Sequence, residues 1–200
     1  MTALIALVVA YLVGGIPFGY LLVRWKTGED VRAKGSGNIG ATNVLRTTGP
    51  AVAVATLLLD IAKGCFAVWL AGRLSHDSPL WMSLAALAVM AGHAYPIFLK
   101  FQGGKAVASF IGAFLMLTPI PMLAALFVFV IVVAATRRIS MGSIVAAGSL
   151  PLAVWFILHP PPAVLAASVA AAVFIIYRHR SNISRLRAGT EHVFRFGGTQ

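Results

Sequence analysis

The stretch AVASFIGAFLMLTPIPMLAALFVFVIVVAAT, residues 106–136, decides the fold. It holds no charged residue, and Thr118-Pro119-Ile120-Pro121 interrupts its middle. One helix of that length would run to about 45 Å at 1.5 Å per residue, beyond the roughly 30 Å hydrocarbon core of a bilayer. Proline ends a helix, so the stretch predicts two short spans, 106–118 and 119–135, joined by a proline-rich turn.

Further apolar runs flank this stretch at residues 3–23, 51–72, 80–98, 142–158 and 162–177, which makes seven. Of the 200 residues, 60% are hydrophobic and 10% charged, too few charges to cover a soluble surface. The expected fold is all-α: a polytopic integral membrane protein of seven transmembrane helices, forming a single membrane-embedded domain over residues 1–200. The lone cysteine, Cys65, lies in an apolar run, rules out an intrachain disulfide framework and is expected to be a buried structural thiol.

The net charge of +11 would suggest nucleic-acid binding in a soluble protein. In a membrane protein the tendency of cytoplasmic loops to collect Lys and Arg explains it first. Arg24 and Lys26 follow the first apolar run and no basic residue precedes it, so an uncleaved first helix with its N-terminus outside is expected. With seven spans the inner segments are then about 24–50, 99–105, 136–141 and 178–200. They hold 14 of the 16 basic residues, all but Lys63 and Arg73. A six-span reading would separate Arg137 and Arg138 from Lys100 and Lys105. The outer connections, including those with His76 and His159, offer little chemistry.

The first inner segment reads Lys34-Gly35-Ser36-Gly37-Asn38-Ile39-Gly40-Ala41-Thr42-Asn43-Val44-Leu45-Arg46. Glycines and small polar side chains can turn several N–H groups toward one guest, and phosphate, which accepts several donors at once, suits such a concavity. Ser36, Asn38, Thr42 and Asn43 add donors, and Arg46 adds a permanent charge. In the second segment Gly103 and Gly104 precede an apolar helix, where free N–H groups and the helix end would attract an anion beside Lys105. His93, one turn above a proline, reads as a packing residue. The tail interleaves Arg178, His179, Arg180, Asn182, Arg185, Arg187 and Glu191, and the Arg137–Ser143 loop adds hydroxyls. Asp60 and Lys63 share one helix face inside a span and read either as an ion pair fixing helix packing or as support for a site.

Taken together, these loops resemble the bacterial acyl-phosphate:glycerol-3-phosphate acyltransferase family (PlsY). The resemblance rests on Ser36-Gly37-Asn38-Ile39-Gly40-Ala41-Thr42-Asn43 with Arg46, on Gly92-His93 with Phe101-Gln102-Gly103-Gly104-Lys105, and on Arg178-His179-Arg180-Ser181-Asn182-Ile183 with Gly189 and Glu191. Asp60 with Lys63-Gly64 also looks like the family pattern. The resemblance implies acyl transfer from a long-chain acyl phosphate to the sn-1 hydroxyl of glycerol 3-phosphate, giving lysophosphatidic acid and inorganic phosphate. By the same resemblance Ser36, Gly37, Asn38, Gly40, Thr42 and Asn43 would hold the acyl-phosphate head. Arg46, Lys105, Ser143, His179, Arg180 and Asn182 would hold glycerol 3-phosphate. Ser36, Arg46, Lys105, His179 and Asn182 would be catalytic, and Asp60, Lys63, His93, Gly103, Gly104 and Glu191 would support them.

No cofactor, metal or nucleic acid is expected. The expected partners are the two substrates and the lipid bilayer of a bacterial cytoplasmic membrane, with the active face cytoplasmic; a monomer is compatible with the sequence. There is no Ser-His-Asp signature, and no histidine has an aspartate five residues on. An activated mixed anhydride needs chiefly positioning and charge neutralisation, so substrate-assisted attack is expected, with His179 as the alternative base. The competing readings are a membrane transporter or binding protein for a phosphorylated anion, and an assembly protein binding anionic lipid.

Overall fold

A computed structural model describes residues 2–194. It divides into two compact units, Met1–Leu117 and Thr118–Gln200. Their boundary falls at the Thr118-Pro119 interruption, where α6 (Val107–Leu117) ends and α7 (Pro119–Thr136) begins. Arg195, counted above among the inner charges, and the rest of the C-terminal tail lie outside the described residues.

The first unit holds α1 (Thr2–Gly14), α2 (Phe18–Thr27), α3 (Ala41–Thr48), α4 (Pro50–Ser75), α5 (Pro79–Ala94) and α6. Its helices meet through small residues. α1 buries Ala6, Ala10 and Gly14, spaced four apart on one face, and packs on α5. A Cβ on Gly14 would collide with the Val89 carbonyl, and one on Gly92 with the Tyr11 carbonyl. α4 packs on α6 in the same manner through Gly64 and Gly112. In lipid the apolar effect does not drive helices together, so close backbone approach at small residues supplies the dispersion contact.

In the second unit α7 packs on α8 (Ile139–Leu158), α8 packs on α9 (Pro162–Arg178), and α10 (Arg180–Arg187) follows α9 with a bend of 58°. Many large side chains face outward: Phe127 is 67% and Phe156 72% exposed. Such apolar surface would be a liability in water and is ordinary against acyl chains.

Among the described residues five helical stretches are long and apolar enough to cross a membrane, and the bent α9–α10 pair makes six. Three details differ from the expectation. The first apolar run is not one straight helix: it breaks at Gly15-Ile16-Pro17 between α1 and α2, because Pro17 cannot continue the hydrogen-bond ladder. The fourth run forms a helix of only 11 residues, about 17 Å long by helix rise. Cys65 is half-buried rather than buried, and its thiol donates to the Gly112 carbonyl.

Candidate active site

The glycine-rich segment is an ordered fold-back rather than an open loop. Asp30 caps a short 3-10 turn, Val31–Ala33, by accepting from the Arg32 backbone N–H at 2.9 Å. It also grips the Arg32 guanidinium through two nitrogens, and Arg32 lies over the Tyr20 ring. The hydrogen bond from Arg32 holds the Asp30 carboxyl below the usual carboxylate range against the opposing effect of burial. Arg32 is therefore a structural cation.

Asn43, 1% exposed in α3, ties the fold-back together. Its Oδ1 accepts from the Ser36 N–H at 2.8 Å, and its Nδ2 donates to the carbonyls of Val31 and Lys34 at 3.2 and 3.1 Å. Asn38 closes a smaller turn by accepting from the Gly40 N–H. Gly35 and Gly37 have φ of 59° and 70°, the left-handed region that L side chains avoid. A Cβ at Gly35 would also strike Asn43 Oδ1. Val23, Val31, Ile39, Val44, Ala53 and Leu99 form the apolar cluster beneath. The construction leaves Ser36 exposed at the rim, Thr42 in the first turn of α3, and Arg46 half-buried in its last turn.

The second segment departs from expectation. The N–H groups of Gly103 and Gly104 are not free for an anion: they donate to the carbonyls of Ala94 and His93 at 3.2 and 3.1 Å. The glycines are required by close approach, since a Cβ at Gly104 would overlap the His93 ring and one at Gly103 the His93 carbonyl and Pro96. Lys105 follows, half-buried, and the buried Ala106 has φ of 61°.

Beneath this segment lies a buried polar cluster. Lys63 Nζ is 2.7 Å from Asp60 Oδ1, with both side chains at most 3% exposed, and donates at 2.9 Å to the Ile16 carbonyl that the α1–α2 break leaves without a helical partner. His93 Nδ1 lies 3.0 Å from Ser109 Oγ and 3.7 Å from Asp60 Oδ1. The pair expected from the sequence is present, but its connections to Ile16, His93 and Ser109 were not foreseen.

In the second unit Glu191 gathers the tail. Its carboxylate, 7% exposed, accepts from Ser140 Oγ and Asn182 Nδ2 at 2.7 and 2.6 Å and from Arg185 Nε at 2.7 Å. Burial pushes the Glu191 carboxyl up, but these three donors outweigh it and hold it below its ordinary range. A carboxylate only accepts, so Asn182 must turn its amide nitrogen toward Glu191 and its carbonyl oxygen away. Likewise the His179 Nδ1 sits 2.8 Å from the Ile175 carbonyl and must carry its proton there, which leaves Nε2 as the acceptor of the neutral ring. Ser143 Oγ donates to the Ile139 carbonyl, and Arg180 lies 4.9 Å from the Tyr177 ring centroid. Ser140 and Arg185 are partners of Glu191 that sequence reasoning passed over. Among the described residues no three His, Cys, Asp or Glu side chains gather where they could hold a metal ion.

A family model described as Glycerol-3-phosphate acyltransferase matches residues 4–189. The chain belongs to the glycerol-3-phosphate acyltransferase family. A protein of that name from Geobacter sulfurreducens is 48% identical over 195 residues, covering 98% of this chain and 99% of the relative. Another, from Trichlorobacter lovleyi, is 50% identical over 188 residues, covering 93% and 94%. The fold matches a crystal structure of PlsY (YgiH), an integral membrane glycerol 3-phosphate acyltransferase, in its glycerol 3-phosphate form, with TM-score 0.91, 38% identity, and coverage of 98% and 96%. The lysophosphatidic acid form of PlsY matches with TM-score 0.88 and 36% identity, again covering 98% and 96%. The family and the apolar helices together make this a multi-pass integral membrane protein.

Proposed function

We propose that this protein transfers a fatty acyl group from acyl phosphate to the sn-1 hydroxyl of glycerol 3-phosphate, in phospholipid synthesis at a bacterial cytoplasmic membrane. The observation that carries the reading is the full-length likeness to a PlsY structure in its glycerol 3-phosphate form. In the reaction the hydroxyl oxygen attacks the acyl carbon of the mixed anhydride. The bond from that carbon to the bridging oxygen breaks, and phosphate leaves with the electron pair. The hydroxyl proton passes to a phosphate oxygen of the donor, so the step balances without a cofactor or an acyl-enzyme.

Residue roles follow the chemistry of each group. Ser36 and Thr42, with the backbone around Gly37 and Gly40, are assigned to the donor phosphate; Asn38 and Asn43 shape that backbone through their side-chain oxygens. Arg46 and Lys105 supply positive charge for glycerol 3-phosphate, and Arg180 adds to it. We assign His179 and Asn182 to glycerol 3-phosphate as well. Ser143, whose hydroxyl proton is used within α8, can accept a hydrogen bond. His179 is the alternative base.

We further infer seven crossings with the N-terminus outside and a cytoplasmic catalytic face. α6 would complete its crossing together with the extended residues before it, where the Gly103 and Gly104 N–H groups donate to the end of α5. A transporter for a phosphorylated anion is supported by no comparable observation.

The test is purified protein in detergent, given acyl phosphate and glycerol 3-phosphate, with phosphate release measured. Turnover that Lys105→Ala or Arg46→Ala abolishes is expected. Absence of release under any lipid condition would sink the assignment.

A further inference from the structure

We propose that the buried Asp60–Lys63–His93–Ser109 cluster is a positioning device that sets the height and direction of Lys105. The inference rests on the reading of Lys105 as a cation for glycerol 3-phosphate and adds the machinery that aims it. The argument starts from the backbone. Residues 102–106 enter the first unit without helical hydrogen bonds of their own, and Gly103 and Gly104 are pinned to the end of α5 through the carbonyls of Ala94 and His93. Ala106, fully buried, is held at φ of 61°, in the left-handed region that an alanine avoids. A strained residue next to a functional lysine persists only when its surroundings over-determine it.

His93 supplies that determination. Its carbonyl takes the Gly104 N–H, its ring lies against Gly104 where a Cβ would overlap it, and its Nδ1 shares a hydrogen bond with Ser109 on α6. Ser109 follows Lys105 by four residues, so both flanks of the lysine are tied to one residue, Gly104 through the His93 carbonyl and Ser109 through its ring. Asp60 and Lys63 of α4 stand behind that ring. Lys63 extends the chain to the Ile16 carbonyl at the α1–α2 break. Beyond that break, Gly19 of α2 packs directly against the Ile39 carbonyl of the glycine-rich segment.

The experiment uses the full chain, purified in detergent, with both Michaelis constants and amide hydrogen exchange measured. Ser109→Ala removes one hydroxyl and little volume, and His93→Gln keeps size and polarity. Each is expected to raise KM for glycerol 3-phosphate about tenfold, leave KM for acyl phosphate within about twofold, and speed exchange at the Gly103 and Gly104 amides. Lys105→Ala is measured beside them. If Lys105→Ala keeps the wild-type KM for glycerol 3-phosphate and full turnover, the reading beneath the proposal fails. If Lys105→Ala is impaired while Ser109→Ala and His93→Gln leave both constants unchanged, or raise them equally, the positioning role is overturned and that reading stands.

Discussion

Replacing Asn43 by alanine tests the ordered fold-back most sharply. The change removes the acceptor for the Ser36 N–H and the donor for the carbonyls of Val31 and Lys34. The bond to Val31 is buried, so losing it costs about 1–3 kcal/mol; the other two are partly open to water and cost about 0.5–1 kcal/mol each. The loop should lose roughly 2–5 kcal/mol of local stability, which at 1.4 kcal/mol per tenfold lowers the ratio of closed to open loop by about thirtyfold or more. The assay pairs kcat/KM for acyl phosphate with hydrogen exchange of residues 34–43 in the absence of substrate. A fall in kcat/KM of about tenfold or more is expected, with faster exchange confined to this segment. Unchanged exchange with the same loss of activity would mean that Asn43 acts by touching substrate, and the scaffold argument would be refuted.

Three other outcomes are expected. Glu191 has a folded pKa below its unfolded value, so its stabilising effect is present above the ordinary carboxylate range and is lost as pH falls through the folded value. Tm against pH should accordingly drop more steeply on acidification for the wild type than for Glu191→Gln, and parallel curves would contradict the donor cage. Gly104→Ala forces a Cβ into the His93 ring and should cost about 1–3 kcal/mol, seen as a lower Tm even without ligand. Lys63→Met leaves Asp60 buried without its cation and should destabilise the chain by about 3–5 kcal/mol, whereas Asp60→Leu combined with Lys63→Met should recover much of that loss. A double variant no more stable than the single would show that the pair does not act as a pair.

How much of this was legible in the sequence depended on how local each signal was. The Thr118–Pro121 break could be read because prolines interrupt an otherwise unbroken apolar run. The comparable Gly14-Gly15-Ile16-Pro17 signal was hidden, since the run around it is short enough for one span. The Asp60–Lys63 pair was visible from i,i+3 spacing. Its extension to Ile16 and His93 depends on helix packing that spacing does not encode. The glycine pair before Lys105 suggested free N–H groups, because glycine permits both an anion nest and close backbone approach, and only the partners at Ala94 and His93 distinguish them. Among the tail residues, Glu191 stood out as an acid among arginines. Its choice of Ser140, 51 positions away, was set by tertiary structure.

The most direct measurement of the central claim follows heavy oxygen placed in the bridging position of acyl phosphate during turnover with glycerol 3-phosphate, with products analysed by mass spectrometry. Direct acyl transfer predicts the label wholly in inorganic phosphate, an acyl group at the sn-1 oxygen of lysophosphatidic acid, and no phosphate release when glycerol 3-phosphate is omitted. Label appearing in a free fatty acid, or a burst of phosphate without glycerol 3-phosphate, would contradict it.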